Sequence, residues 1–328
     1  MQVSTASELW TEAPQLGQLE VLGSLIRSEL NQEKVVRFDM DYLSTPLESI
    51  WFNHSPSMTN RSKQSQIKET ILKTIRTEHL SAITSLGSRK SRIGAILMES
   101  VFHLPEKTFA RLVHDAFTEL AGITDIKSPY EEHGEIFPKA TGHAASDWGK
   151  GQGMIRPHSD DLYEGQAVNA MCLTVCRDLS FTPTWFWPMA GIVECLNNEE
   201  LATFAMSDAT YLSGTNVEGH TIQCRKPILR LDSSEGLGFR IDFRVDDGLG
   251  PRMIPISESG KQIFAKLRAA IPMIKPISTK PTTGSISILS NFKVLHGRSG
   301  LNPIMLYEGE ESRILFRSKG TRNHEVCV

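Results

Sequence analysis

The 328-residue sequence predicts an α+β fold. Three observations carry this reading. Apolar residues recur at helical spacing through much of the first 125 residues. Strand-length runs, alternating or continuously apolar, dominate the remainder. The 40% apolar content suits an ordinary soluble core, and helices followed by strands along one chain form an α+β pattern. A single domain over 1–328 is expected, with 1–125 a mainly helical cover and 126–320 the core that carries the site.

Taken in order, residues 16–30 place Leu16, Leu19, Leu22, Leu25, Ile26 and Leu30 at helical spacing, and 35–41 has the length of a strand. Residues 42–66, rich in Ser, Pro and Asn, read as loop. Residues 67–80 repeat the helical pattern through Ile67, Ile71, Leu72 and Ile75, and 93–102 reads as a strand. The clearest helix is 106–121, with Phe109, Leu112, Val113, Ala116, Phe117 and Leu120 on one face and Gly122 as its stop. His114 falls on the opposite face and reads as solvated. The stretch 168–177 is apolar throughout, as in a strand buried on both sides. Trp185, Phe186 and Trp187 lie between prolines, and 197–206 reads as a short helix capped by Asn197. Residues 207–225 are a candidate lid. Strands follow at 228–231 and 238–243, a helix at 260–271, the alternating strand 285–289, a turn-rich loop at 302–311 and a last strand through 314–316.

Net charge is −3, so nothing points to a polyanion partner such as nucleic acid. No apolar run approaches membrane-spanning length and no signal-peptide pattern opens the chain, so a cytoplasmic protein is expected. Five cysteines without a CxxC pair read as free thiols, which agrees with a reduced compartment.

The chemistry gathers in three places. His158 and Asp160 are two residues apart, and in an extended segment such a pair shares a face. His296 ends the strand-like run from Gly284 and is followed by Gly297 and Arg298. Two histidines and one carboxylate with positions left open form the facial triad of non-haem Fe(II) oxygenases. Arg313 and Arg317 flank an apolar segment and, if extended, also share a face; a buried arginine needs a partner, and a carboxylate is the obvious one.

His158-x-Asp160, the block Gly284…Asn291…His296-Gly297-Arg298, and the pair Arg313 and Arg317 together resemble the Fe(II)/2-oxoglutarate-dependent oxygenases. The branch with clavaminate synthase and the asparagine and arginine β-hydroxylases is the most similar, and taurine dioxygenase is more distant. The resemblance spans about residues 134–317. It implies a double-stranded β-helix, or jelly-roll, core with N-terminal and flanking helices. It implies His158, Asp160 and His296 as ligands of Fe(II), and Arg313 as the clamp on the distal carboxylate of 2-oxoglutarate. Arg317 then lies nearer the metal, and Thr184, or next Thr182, is the hydroxyl expected on that carboxylate. A carboxylate at position 160 argues against a halogenase, whose ligand position is vacated. Where relatives commonly carry Asp-Asn, this chain has Ser290-Asn291, a departure outside the ligand set.

Each residue has a plainer reading. His158-Ser-Asp160-Asp161 could be a solvated turn after Pro157, and Asp161 competes with Asp160 for the carboxylate role. His133, His143 and His220 read as exposed or loop residues. Asp242, Asp246 and Asp247 read equally as a charged hairpin turn and as a lid segment facing a cationic substrate group. Arg298 is the candidate for a substrate α-carboxylate.

The expected activity is hydroxylation of an unactivated C–H in a free polar or basic amino acid, or a similar small molecule. It would use Fe(II), 2-oxoglutarate and O₂ and release succinate and CO₂. Lysine- or arginine-like substrates stand slightly ahead, and desaturation or cyclisation would share the first steps. The alternatives are a dioxygenase for sulfonates or small carboxylic acids, and a metal- or ligand-binding barrel without turnover.

Overall fold

The computed structural model describes residues 16–30, 34–53, 58–126, 135–136, 153–160, 162, 168–213, 222–232, 235–246, 250–279, 282–301 and 313–322. The helices are α1 (Leu16–Leu30), α2 (Ser44–Asn53), α3 (Asn60–Thr74), α4 (Thr77–Ser85), α5 (Lys107–Leu120), α6 (Met189–Val193), α7 (Asn198–Ala205) and α8 (Glu258–Ala270). The first strands are β1 (Lys34–Asp39), β2 (Ile93–Glu99), β3 (Ile123–Asp125), β4 (Glu135–Ile136), β5 (Ile155–His158), β6 (Ala170–Asp178), β7 (Thr184–Pro188), β8 (Asp208–Leu212) and β9 (Gln223–Pro227). They continue as β10 (Leu229–Asp232), β11 (Gly236–Phe239), β12 (Val245–Asp246), β13 (Gly250–Pro251), β14 (Met253–Pro255), β15 (Ile277–Ser278), β16 (Ile286–Ser290), β17 (Val294–Arg298) and β18 (Arg313–Arg322).

A major sheet has the order β1-β2-β16-β6-β18-β3, with β4 alongside β18. Its β1–β2 pair is parallel and its other pairs are antiparallel. A minor antiparallel sheet has the order β15-β7-β17-β5. Side-chain alternation shows how the two sheets face each other. Ile96 and Met98 of β2, Ile286 and Ile288 of β16, and Ile314 and Phe316 of β18 pack under the helices with Leu47, Ile71, Phe109 and Phe117. Ala95 and Leu97 of β2, Met171 of β6 and Leu289 of β16 point the other way and meet Phe186 of β7 and Val294 of β17. Both faces of the major sheet are thus covered, which is why its strands read as apolar throughout. A third cluster joins α1 and α6–α8 to the outer side of the minor sheet through Ile26, Leu30, Trp187, Leu201, Phe264 and Leu295.

Helix α5 forms as its apolar spacing predicts, and all six predicted face residues are buried. Each contributes roughly 1.5–3 kcal/mol, and less for Ala116. Glu106 caps its start by accepting from Phe109 N at 2.5 Å. Gly122 closes it at φ 69° with N–H donating to Glu119 O. Asn197 and Glu200 form a reciprocal capping box on α7.

Three expectations are corrected. His114 is fully buried: Nδ1 lies 2.8 Å from Thr174 Oγ1 and Nε2 3.0 Å from Ser318 Oγ. Those hydroxyls stand on the sheet face that α5 covers, so the helix has a polar seam that an apolar-face count overlooks. Residues 42–66 hold α2 and the start of α3 rather than a loop. Pro46 sits in the first turn of α2, where its missing N–H is harmless, and Thr59 caps α3 by accepting from Ser62 N at 3.3 Å. The helix expected over 67–80 is two helices, α3 and α4, parted where Ile75 and Arg76 are extended at ψ 136° and 143°. The candidate lid 207–225 is flanked by β8 and β9, which pair antiparallel. Its centre lies outside the described residues, as do Asp161, His133, His143, His220, Asp247 and the loop 302–311. Among the described residues, no helix is long and apolar enough to cross a membrane, and Cys172, Cys176, Cys195 and Cys224 are free thiols.

Candidate active site

Strands β5 and β17 pair antiparallel with His158 opposite His296, and the two ring centroids lie 4.2 Å apart. Gly297 allows this approach: a Cβ there would stand 2.4 Å from Ile155 O. Asp160 lies just past the end of β5. Asn291, in the turn between β16 and β17, holds its backbone from both sides. Asp160 N donates to Asn291 Oδ1 at 2.8 Å, and Asn291 Nδ2 donates to Asp160 O at 2.9 Å and to Val168 O at 2.8 Å. One ligand atom from each of His158, Asp160 and His296 therefore lies within 4.8 Å of the others, and all three residues are buried.

The protonation states suit a cation. His158 Nδ1 donates to Arg156 O at 2.9 Å, which turns Nε2 toward Asp160 Oδ1 at 3.2 Å. Burial opposes ionisation of Asp160, but Arg317 and the two histidines outweigh it and hold its carboxyl well below the usual range. Burial, then the neighbouring His158, keeps His296 well below its ordinary value and so neutral. Neither His296 nitrogen makes a hydrogen bond among the described residues: Nδ1 has no partner, and Nε2 faces Asp160 Oδ2 at 3.9 Å. At 3.9 Å the gap between Nε2 and the Asp160 carboxylate is too long for a hydrogen bond, and a cation placed there would draw on both. The donor set of two imidazoles and one carboxylate fits Fe(II).

Beside this cluster a cleft runs between the two sheets. Met171, Leu173 and Leu315 line one wall; Ile155, Thr184, Gly297 and Arg298 line the other; Arg244, Arg313 and Arg317 also reach it. Arg313 and Arg317 both reach the cleft despite a register shift between Ile314 and Leu315. Arg317 Nη1 donates to Asp160 Oδ2 at 3.0 Å. Arg313, 2% exposed, donates from Nε to Asp178 Oδ2 at 2.9 Å and from Nη2 to Thr182 O at 3.3 Å. Asp178 faces Arg313 across β6–β18 and accepts from Ser180 N and Oγ. It is the carboxylate a buried arginine demands, but the sequence offered no means of naming it before the strands were paired.

Residues 241–243 run along the free edge of β5: Ser159 N donates to Ile241 O at 2.8 Å and Phe243 N to Pro157 O at 3.0 Å. Asp242 stands opposite His158. Its carboxylate does not face a substrate cation; it is taken up by Arg244, which donates from Nε at 3.0 Å and Nη2 at 2.8 Å. Arg244 Nη1 then lies 3.8 Å from Asp160 Oδ1. The sequence reading missed Arg244, although Asp242 and Arg244 stand at the same i,i+2 spacing that singled out His158 and Asp160. The Asp246 backbone pairs with Gly250 in the β12–β13 hairpin. Arg298 lines the cleft but donates from Nη1 to Gly153 O at 2.9 Å and Ser299 O at 3.1 Å. Thr184 lines the cleft, and its carbonyl accepts from Thr279 N at 3.0 Å.

No family model matches the sequence, and no curated protein is found as its relative. Solved structures do match the fold. One is an asparagine oxygenase in complex with Fe(II), 2S,3S-3-hydroxyasparagine and succinate: TM-score 0.66, 11% identity, 88% of this chain and 93% of that one. The non-heme iron oxygenase OrfP with Fe, succinate and (3R,4R)-dihydroxy-L-Arg matches at TM-score 0.65 and 12% identity, over 88% of this chain and 95% of that one. OrfP with Fe and alpha-ketoglutaric acid matches at TM-score 0.59 and 12% identity, over 93% and 92%. At these identities the likeness is one of fold.

Proposed function

We propose that this protein is an Fe(II)/2-oxoglutarate-dependent oxygenase that hydroxylates a free amino acid or a similar small polar molecule. The observation that carries the reading is the buried His158–Asp160–His296 cluster beside a cleft lined by the buried Arg313. The two facing sheets, with their small shared core, are read as the halves of a double-stranded β-helix. The fold neighbours, described with Fe, alpha-ketoglutaric acid, succinate and hydroxylated amino acids, support the same assignment.

His158, Asp160 and His296 would hold Fe(II), which with 2-oxoglutarate and O₂ supplies the oxidising equivalent for C–H hydroxylation and leaves succinate and CO₂. The chain's own residues bind, orient and exclude water. Arg313, fixed by Asp178, offers a charged guanidinium to the distal carboxylate of 2-oxoglutarate, with Thr184 nearby. Arg317 ties the metal carboxylate to β18. Met171, Leu173 and Leu315 on one wall and Ile155 on the other give an apolar lining that keeps water from the reacting carbon. Asp246, Asp247 and Arg298 remain candidates for substrate contact. Free thiols and an Fe(II) centre both suit the reducing cytoplasm.

The test is incubation with Fe(II), 2-oxoglutarate, ascorbate and a panel of free amino acids, reading succinate and a mass gain of one oxygen. Succinate release stimulated by one amino acid is expected. Saturable metal binding without succinate from any mixture would favour the binding-barrel reading.

A further inference from the structure

The hairpin β10–β11 and the segment that follows it meet both supports of the metal triad. Residues 241–243 run along β5, which carries His158. Just before them, β11 lies on the turn between β16 and β17, which carries Asn291. Phe239 N donates to Phe292 O at 3.0 Å. Gly238 permits this approach: a Cβ there would stand 2.7 Å from Phe292 Cβ and 2.8 Å from Phe292 O.

Arg230 of β10 joins the hairpin to that turn by two routes. Its guanidinium carbon lies 4.2 Å from the centre of the Phe292 ring, a cation–π contact. Its Nη2 donates to Asn169 Oδ1 at 2.9 Å. The Asn169 carbonyl in turn accepts from Asn291 N at 2.8 Å, and its N–H donates to Gly320 O of β18 at 2.8 Å. Asn291 is the residue whose side chain holds both backbone polar groups of Asp160. Phe292 follows it directly, so both routes end at the support of one metal ligand. Arg230 is itself fixed within the hairpin: Nη2 also donates to Asp232 Oδ2 at 2.9 Å, and Nη1 to Glu235 Oε2 at 3.3 Å. Its side chain is only 10% exposed, which shelters these bonds from competing water. A guanidinium is suited to this task, because its rigid fork can hold an amide and carboxylates at once while its face covers a ring.

We infer that Arg230 is a positioning residue of the metal centre: acting through Asn169 and Phe292, it sets the Asn291 side chain that orients Asp160. The role rests on the oxygenase reading of the triad and extends it to a hairpin that touches none of the ligand atoms.

The experiment is anaerobic calorimetric titration of the full chain with Fe(II) and with Co(II). The visible spectrum of the Co(II) protein and the melting temperature of the metal-free protein are read beside it, and each variant is titrated where it is folded. Arg230→Met removes the Asn169 bond and the charge over Phe292 while keeping an apolar side chain there. It should weaken both metals by about tenfold and shift the Co(II) bands. Arg230→Lys should recover part of the affinity. Asn169→Ala should weaken the metals in the same sense, and Arg230→Met/Asn169→Ala should be no weaker than Arg230→Met alone, because the two residues act in one chain. Arg27→Met is the control for plain stability: Arg27 ties α1 to Asn198 and to the Val193 carbonyl, far along the chain from the triad. It should lower the melting temperature and leave metal affinity and spectrum as they are. Wild-type affinity and spectrum in folded Arg230→Met would make Arg230 a hairpin staple only and overturn the assignment, with the oxygenase reading intact. Equal metal loss in Arg27→Met, or additive losses in the double variant, would overturn it too. Should Arg230→Met not fold, Asn169→Ala decides alone, and an unchanged affinity and spectrum there count against the role. A wild-type chain that binds neither metal overturns both readings.

Discussion

Arg317 Nη1 donates to Asp160 Oδ2 at 3.0 Å, so a side chain of the major sheet grips a carboxylate that the minor sheet carries at its edge. Arg317 and a bound cation share that carboxylate, and two positive charges in such proximity repel. Replacing Arg317 with Met should therefore tighten Fe(II) binding, by about tenfold at most. Asp160→Ala should abolish it, whereas Asp161→Ala should leave it intact. Calorimetric Fe(II) titration of the three variants decides the matter. Loss of iron in Asp161→Ala alone would move the ligand role to that residue.

Asn291 touches no ligand atom, yet it holds both backbone polar groups of Asp160 and ties them to Val168. Asn291→Ala should weaken Fe(II) binding by about 10- to 100-fold, as removal of a ligand's support typically does. Melting temperature should fall as well, because three buried backbone groups lose their partner, so iron affinity is measured at a temperature where the variant is folded. An unaltered iron affinity would show that β5 alone orients Asp160.

Arg313 and Asp178 are a buried pair, and removing one partner strands the other. Arg313→Ala should lower stability by about 3–5 kcal/mol and weaken 2-oxoglutarate binding by about 2–5 kcal/mol. Adding Asp178→Ala should restore much of the stability and none of the 2-oxoglutarate affinity. Denaturant midpoints and 2-oxoglutarate titrations of the single and double variants separate the two roles. Recovery of co-substrate binding in the double variant would remove Arg313 from the clamp.

Burial, with Arg111 nearby, lowers the His114 pKa from 6.5 to about 3. The unfolded chain therefore binds a proton that the folded chain refuses between those values, and stability falls as pH drops through that window. The contribution is fully present above the unfolded value and declines by roughly 3 kcal/mol by about pH 4. His114→Gln, which keeps hydrogen-bonding capacity without titrating, should flatten this part of the curve. Chemical denaturation of both proteins across about pH 4 to 7 measures it, and parallel curves would contradict the assignment.

Much of the fold was legible because its signals are local. The α5 face, the Asn197 cap and the apolar strand at 168–177 each follow from spacing within one element. The misreadings arose where composition stood in for geometry. The Ser, Pro and Asn between residues 42 and 66 are helix-start residues as readily as loop residues. His114 looked exposed because its partners, Thr174 and Ser318, come from strands distant in sequence.

By itself, the sequence determined which residues could carry the chemistry: His158 and Asp160 at the i,i+2 spacing of an extended chain, His296 in a strand-like run, which the structure divides into β16 and β17, and Arg313 and Arg317 on one strand face. The tertiary structure alone decided who meets whom. Pairing β5 with β17 brings His296 opposite His158, pairing β6 with β18 supplies Asp178 to Arg313, and the segment along the edge of β5 brings Arg244 near Asp160. The physical reason is that strand periodicity is a property of one segment, whereas a buried charge is neutralised by whatever partner the sheet pairing delivers.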